Sequence, residues 1–122
     1  MSQRETLLHL FCECSYVRCV WFCLENIIHE KKSLTTRLHF EAKDIIFGLT
    51  DKNEIIGINL IILYVKKYIT LCRENNVIPI WSACTAYLRY QYKIDLNSCN
   101  LLGPKKASLL KQRWESVVSL IT

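Results

Sequence analysis

The sequence has few of the residues that favour turns. It has three glycines and two prolines among 122 residues, whereas a fold of many short strands needs turn residues at regular intervals. Hydrophobic residues make up 51% of the chain, which is enough for a buried core and argues against disorder. The sequence therefore predicts a single all-α domain, a compact bundle of four or five helices with short loops.

A long hydrophobic run is also lacking. The most apolar stretch, IIGINLIILYV at residues 55–65, is too short to span a bilayer, and Lys66 and Lys67 follow it directly. The first residues, MSQRETLLHLF, have no apolar run of the length that a secretory signal needs. Seven cysteines without a signal predict reduced thiols, most of them buried, in an intracellular protein of the cytoplasm or nucleus that has no membrane partner.

Motifs of catalysis are missing as well. The sequence has no glycine-rich phosphate loop, no His-Glu-x-x-His and no Gly-x-Ser-x-Gly. His29 and His39 lie in polar surroundings, which favours solvated side chains. Four acids are scattered in the way expected for helix exteriors: Glu25, Glu30, Glu41 and Asp44. We therefore expect no catalytic residues and no enzymatic activity from the chain by itself.

Hydrophobic spacing predicts where the helices lie. A short turn is expected at residues 5–11, and helices at residues 15–32, 42–47, 53–75 and 79–95 and from residue 104 onwards. Gly48 should end the second helix, and Gly57 should lie inside the third and allow a close contact with a neighbour. Pro79 and Pro104 suit the first turns of the last two helices. Ile80 and Leu109 fall on their core stripes.

The stretch ETLLHLFCEC, residues 5–14, contains half of a zinc knuckle. His9 and Cys14, with four residues between them, fit the last two ligands of a Cys-Cys-His-Cys site, but two ligands do not close a structural zinc site. On the residues alone, both belong to an ordinary amphipathic turn. Cys12, Cys19 and Cys23 offer further sulfur for a rebuilt site, although Cys19 and Cys23 are four residues apart on one helix, which favours core packing.

This stretch and the following helix with Trp21 resemble the zinc-binding region of the non-LTR (LINE-type) retrotransposon reverse transcriptases. In that family a close pair of cysteines precedes an ET-L-H run, and a tryptophan follows the last cysteine in the next helix. The resemblance implies that His9 and Cys14 are the last two metal ligands, and that Glu5 and Thr6 match the ET pair. DIIFGL at residues 44–49 and INLIILYVKKYITLCR at residues 58–73 resemble the C-terminal tails of such proteins.

The family's remaining motifs have no counterpart in the chain. The first cysteine pair would fall at or before Met1, and 122 residues are too few for the polymerase or endonuclease domains. The resemblance thus implies a C-terminal fragment, or a reading frame derived from one. Residues 1–14 would be a truncated half-knuckle and residues 15–122 a helical tail domain. Zinc is expected in the full-length parent and not in this chain.

Positive charge is concentrated in the second part of the sequence. Residues 1–50 hold six Lys/Arg and six Asp/Glu, whereas residues 51–122 hold ten and five, so the net charge of +5 lies in the latter. Such an asymmetry favours an anionic partner, although a solvated basic face would have the same composition. The predicted nucleic-acid-binding residues are Lys66, Lys67, Arg73, Arg89, Lys93, Lys105, Lys106, Lys111 and Arg113.

Two hypotheses follow for the function. The first is an accessory module of a retrotransposon reverse transcriptase that binds RNA or DNA backbones without sequence preference. The alternative is a helical interaction or packing module that contacts the rest of the parent enzyme or self-associates, or a remnant of the element, with no nucleic-acid role.

Overall fold

The computed structural model describes residues 9–31, 39–48 and 57–121, and these residues form helices without any β-strand. A π-helical turn, His9–Glu13, comes first and a 3₁₀ turn, Cys99–Leu101, joins the last two helices. The α-helices are α1 Ser15–Lys31, α2 Ala42–Phe47, α3 Ile58–Glu74, α4 Trp81–Ser98 and α5 Pro104–Ile121. The predicted all-α bundle is confirmed. None of the described helices is long and apolar enough to cross a membrane.

Helix α1 buries the stripe that its spacing predicts. Val17, Val20, Leu24 and Ile28 recur at three and four residues and are buried, because residues at these intervals share one face of a helix. Trp21 is also buried, and its indole N–H donates a hydrogen bond of 2.7 Å to the carbonyl of Phe11. This bond fastens the π-helical turn to α1. The turn predicted at residues 5–11 overlaps the π-helical turn at residues 9–11, and residues 5–8 lie outside the described residues.

Helix α3 occupies the centre of the bundle and contacts both α4 and α5. It begins at Ile58, so the prediction that Gly57 lies inside the helix is wrong. Gly57 has φ +85°, a left-handed conformation that caps the helix start and that a right-handed helix excludes. The close contact expected of it does exist, because a Cβ added at Gly57 would lie 2.6 Å from the carbonyl oxygen of Arg113.

Helices α4 and α5 pack side by side. Pro104 opens α5 as predicted, but Pro79 does not open α4, which begins two residues later at Trp81. Ile80, between Pro79 and Trp81, has an extended backbone that is held by Tyr68. The Tyr68 hydroxyl donates to the Ile80 carbonyl (3.2 Å) and accepts from the Ile80 N–H (3.0 Å). Ile80 is therefore exposed rather than part of the core stripe.

Leu109 is also exposed, contrary to the prediction. The core face of α5 is set by Trp114, Val117 and Ile121. At about 100° per residue, Leu109 lies near the edge of that face, where it remains open to solvent.

Two cations hold the last turn of α5 against the rest of the bundle. Lys31 Nζ of α1 donates to the carbonyl of Ser119 (3.3 Å), and Arg89 Nη1 of α4 donates to the carbonyl of Ile121 (3.1 Å). The final carbonyls of a helix have no partner within it and carry partial negative charge. Both cations therefore stabilise the end of α5.

Candidate nucleic-acid interface

A partly buried polar network joins α3, α4 and α5. The carboxylate oxygen Oδ2 of Asp95 accepts hydrogen bonds from the Tyr64 hydroxyl (2.6 Å) and the Trp114 indole N–H (2.8 Å). Burial, and then the hydrogen bond to Asp95, raise the pKa of Tyr64 well above its usual value. This network was not predicted from the sequence, although Asp95 continues the stripe of Leu88 and Gln91 at spacings of three and four residues.

The engagement of Asp95 matters for the charge of the surface around it. Residues 81–121, which we call the α4–α5 hairpin, hold six Lys/Arg and two Asp/Glu, a net charge of +4. One of the two acids is Asp95, which faces inward to Tyr64 and Trp114. The exposed Glu115 is left as the acid on the outer surface of the hairpin. An anion approaching the hairpin thus meets little opposing charge.

Six of the predicted nucleic-acid-binding cations are exposed on this hairpin: Arg89, Lys93, Lys105, Lys106, Lys111 and Arg113. They do not form one compact patch. Lys106 and Arg113 are seven residues apart and share a side of α5, while Lys105 and Lys111 point in other directions. The hairpin therefore has positive charge on several sides, without the fixed geometry that selects one ligand shape.

Lys105 and Lys106 occupy an unfavourable position for cations. They lie in the first turn of α5, which contains no acidic residue, and the N-terminal end of a helix carries partial positive charge. Their charges add to that of the helix terminus, so the potential at this end of the hairpin is the most favourable for an anion.

An aromatic side chain accompanies the cations of α4. Tyr90 is 61% exposed, with Arg89 before it and Lys93 three residues later, on the next turn of the same helix. Arg89 also donates to the end of α5, so Lys93 is the freer of the two cations. A phenol ring on an exposed helix face can stack on an unpaired base.

The cations predicted on α3 have contacts of their own. Lys66 Nζ donates to the carbonyl of Ile46 (3.1 Å) and lies 6.0 Å from the centroid of the Phe11 ring. Lys67 Nζ lies 4.9 Å from the centroid of the Tyr64 ring. Arg73 is exposed and borders a cavity next to the π-helical turn. Lys66 and Lys67 are thus partly engaged by contacts within the bundle.

The two predicted metal ligands are neighbours. The backbone N–H of Cys14 donates to the carbonyl of His9 (3.2 Å), and both residues border the cavity of about 280 Å³ that Arg73 also borders. Cys72 supplies a second sulfur to the same cavity, but it is buried. Within residues 9–31, 39–48 and 57–121, no three His, Cys, Asp or Glu side chains come together to hold a metal ion. These two ligands alone do not fit a closed zinc site.

The other thiols of the N-terminal part face a different groove. Cys12 and Cys19 border a groove of about 850 Å³ between α1 and residues 39–45. Cys23 is half-buried, and burial followed by the neighbouring Cys19 raises its pKa. Cys19 itself is exposed, so the prediction that it packs in the core is wrong. None of the seven cysteines forms a disulfide. The prediction that most of them are buried is wrong, because three are buried: Cys72, Cys84 and Cys99.

Glu25 was predicted on the exterior of a helix, and this is also wrong. It is 6% exposed, and its Oε2 accepts a hydrogen bond of 2.7 Å from the backbone N–H of Phe40. His39 Nδ1 lies 3.2 Å from the same oxygen, on a side chain that is itself solvated. Glu25 therefore fastens the segment before α2 to α1, and a buried carboxylate with such partners is stable.

Comparison with protein families, with curated proteins and with solved structures gave no match. The functional interpretation therefore depends on the geometry of the chain's own residues and on the motifs of its sequence.

Proposed function

We propose that the chain is a non-catalytic accessory module that binds the phosphate backbone of RNA or single-stranded DNA through the α4–α5 hairpin. The observation that carries this proposal is the net charge of +4 on the hairpin, where one of the two acids is turned inward. Exposed Lys and Arg side chains attract nucleic-acid phosphates without regard to sequence.

The chemistry of the hairpin favours single strands over duplexes. Lys105 and Lys106 add their charges to the start of α5, where phosphate binding is most favourable. Tyr90 would stack on a base that has no pairing partner, and Lys93 beside it would contact the adjoining phosphate. A spread of cations around two helices suits a flexible strand, which can bend to reach them.

We also propose that the module derives from the tail of a LINE-type reverse transcriptase. Support comes from the order of the motifs, with ETLLHLFCEC followed by Trp21, DIIFGL and INLIILYVKKYITLCR. Genomic sequence upstream of the Met1 codon tests this origin. An in-frame cysteine pair preceded by polymerase motifs would support it, whereas unrelated coding sequence would contradict it.

Fluorescence anisotropy with a labelled single-stranded RNA tests the binding. We expect affinity to fall steeply between 50 and 200 mM salt, by roughly 0.7 log units per log unit of salt for each phosphate contact. In the double variant Lys105→Gln/Lys106→Gln, the slope of log affinity against log salt concentration should be shallower by about 1.4. It should fold normally, because removing cations from the start of a helix does not destabilise it.

The matched control removes two exposed cations from elsewhere. Arg18→Gln/Lys43→Gln makes the same change in net charge on α1 and α2 and should leave the slope nearly unchanged. Equal losses in both double variants would show that net charge alone drives the binding, and would contradict a hairpin interface. Binding that is indifferent to salt would contradict the proposal as a whole.

A further inference from the structure

The outward face of α3 has a pattern that the packing of the bundle does not require. Leu63, Lys67, Thr70 and Glu74 are spaced by four, three and four residues, so they form one stripe along the helix. Leu71 lies beside this stripe. Leu63 and Leu71 are 44% and 42% exposed, although the rest of the apolar side chains in the central helix are mostly buried.

This stripe is the floor of a shallow groove of about 430 Å³. Phe11 of the π-helical turn and Tyr87 of α4 border it on the sides. The charges are ordered along its length, with Lys66 and Lys67 near the middle of α3 and Glu74 at its end. The groove therefore has exposed leucines on its floor, a basic part nearer the start of α3 and an acidic end.

We propose that this face binds a second copy of the chain, with the two α3 helices antiparallel about a two-fold axis near Thr70. In such an arrangement Lys67 of each copy faces Glu74 of the other, so two complementary pairs form at once. A two-fold interface uses the same patch on both molecules and must be complementary to itself. The order of charges on α3 meets this condition only when the helices are antiparallel.

The apolar residues fit the same arrangement. Leu71 lies beside the axis and would enter the space above Thr70 of the other copy, which is a smaller side chain. Leu63, about 10 Å from the axis at 1.5 Å per residue, would meet the segment that follows α3 in the other copy. Leucines that are solvated in one chain would thus be covered in the pair.

The groove is less suited to the nucleic acid proposed for the hairpin. Glu74 would repel phosphates at one end, and Lys66 at the other already donates to the Ile46 carbonyl. An unrelated protein partner would need a basic and an acidic end in the matching order, which a copy of α3 already has. The dimer is a proposal about another face of the molecule and does not depend on RNA binding.

Sedimentation equilibrium of the full chain in reducing buffer tests the dimer. We expect a reversible monomer–dimer equilibrium in the micromolar range. Lys67→Glu and Glu74→Lys, made singly, should each weaken dimerisation by about tenfold or more, because like charges then face each other twice. An equimolar mixture of the two variants should dimerise again, since each mismatched residue then meets an opposite charge. The double variant Lys67→Glu/Glu74→Lys should also dimerise.

Control variants distinguish dimerisation through this interface from non-specific self-association. Arg18→Glu changes an exposed charge on α1 and should leave the dimer intact, and circular dichroism should show every variant to be folded. A wild-type chain that stays monomeric up to about 0.5 mM, well above the Kd of a specific interface, would overturn the proposal. So would single variants that dimerise like wild type, or a mixture that fails to recover.

Discussion

The contact of Gly57 with α5 gives a prediction whose size can be worked out. Replacing Gly57 by alanine has two consequences. The residue keeps φ near +85°, which destabilises a residue with a Cβ by about 1–2 kcal/mol. The new Cβ would also lie 2.6 Å from the Arg113 carbonyl oxygen, and a rigid backbone atom at that distance must move. Overpacking of this kind destabilises by about 1–3 kcal/mol.

We therefore expect Gly57→Ala to lower the free energy of unfolding by about 2–5 kcal/mol. A domain of this size has roughly 5–15 kcal/mol in total, so Tm should fall by about 10 °C or more. Urea unfolding followed by tryptophan fluorescence and by circular dichroism measures the change. The m-value, which is the dependence of the free energy of unfolding on urea concentration, should stay the same, because the surface exposed on unfolding is unchanged.

The two other glycines of the chain are matched controls. Gly48 has φ +84°, but its added Cβ would meet the flexible end of Asn59 at 3.1 Å, so Gly48→Ala should cost about 1–2 kcal/mol from the backbone alone. Gly103 has open space around it, and Gly103→Ala should be neutral or stabilise by up to about 1 kcal/mol. A Gly57→Ala variant as stable as Gly103→Ala would refute the contact between α3 and α5.

Two further predictions concern buried groups. Glu25→Ala leaves the Phe40 N–H without its acceptor and should lower the free energy of unfolding by about 1–3 kcal/mol. The control Glu30→Ala, on the exposed side of α1, should change it by less than about 0.5 kcal/mol. Equal effects of the two variants in urea unfolding would contradict the role of Glu25. Burial, and then the neighbouring Cys72, raise the pKa of Cys84 to about 12, so the unfolded thiol ionises at lower pH than the folded one. The stability that the neutral Cys84 thiol contributes is present below pH 9 and is lost as the pH rises towards 12. In thermal unfolding at increasing pH, Tm should therefore decline less for Cys84→Ala than for wild type. Parallel declines in Tm would contradict this role of Cys84.

Much of the helical architecture could be predicted because its signals are local. Gly48 ends α2 with its N–H bonded to the Asp44 carbonyl, and Pro104 starts α5, since each residue type restricts the backbone in a known way. Ser15 begins α1. The conformation of Gly57 was harder to predict, because a glycine tolerates both a helix interior and a left-handed cap. Which of the two it adopts depends on its packing against Arg113, far along the chain.

The details of the candidate site depended on partners distant in sequence. Lys66 and Arg89 are ordinary surface cations in sequence, yet they donate to carbonyls 20 and 32 residues away. The half-buried Asp95 and the buried Glu25 accept hydrogen bonds from Trp114 and Phe40, which lie 19 and 15 residues away in sequence. Cys19 shares the spacing of a core stripe, but the part of α1 that faces solvent is decided by the helices packed against it. Single-sequence periodicity cannot identify those neighbours.

The anchoring of α5 by Lys31 and Arg89 has a consequence for how the chain folds during its synthesis. The Lys31 contact spans 88 residues, and α1 packs against α4 and α5, both of which the ribosome makes later. At about 5–20 residues per second, α1 waits roughly 5–20 s before its last partner has been made. The part of its apolar stripe that packs on α4 and α5 stays uncovered for that time and is open to non-native contacts until α5 docks.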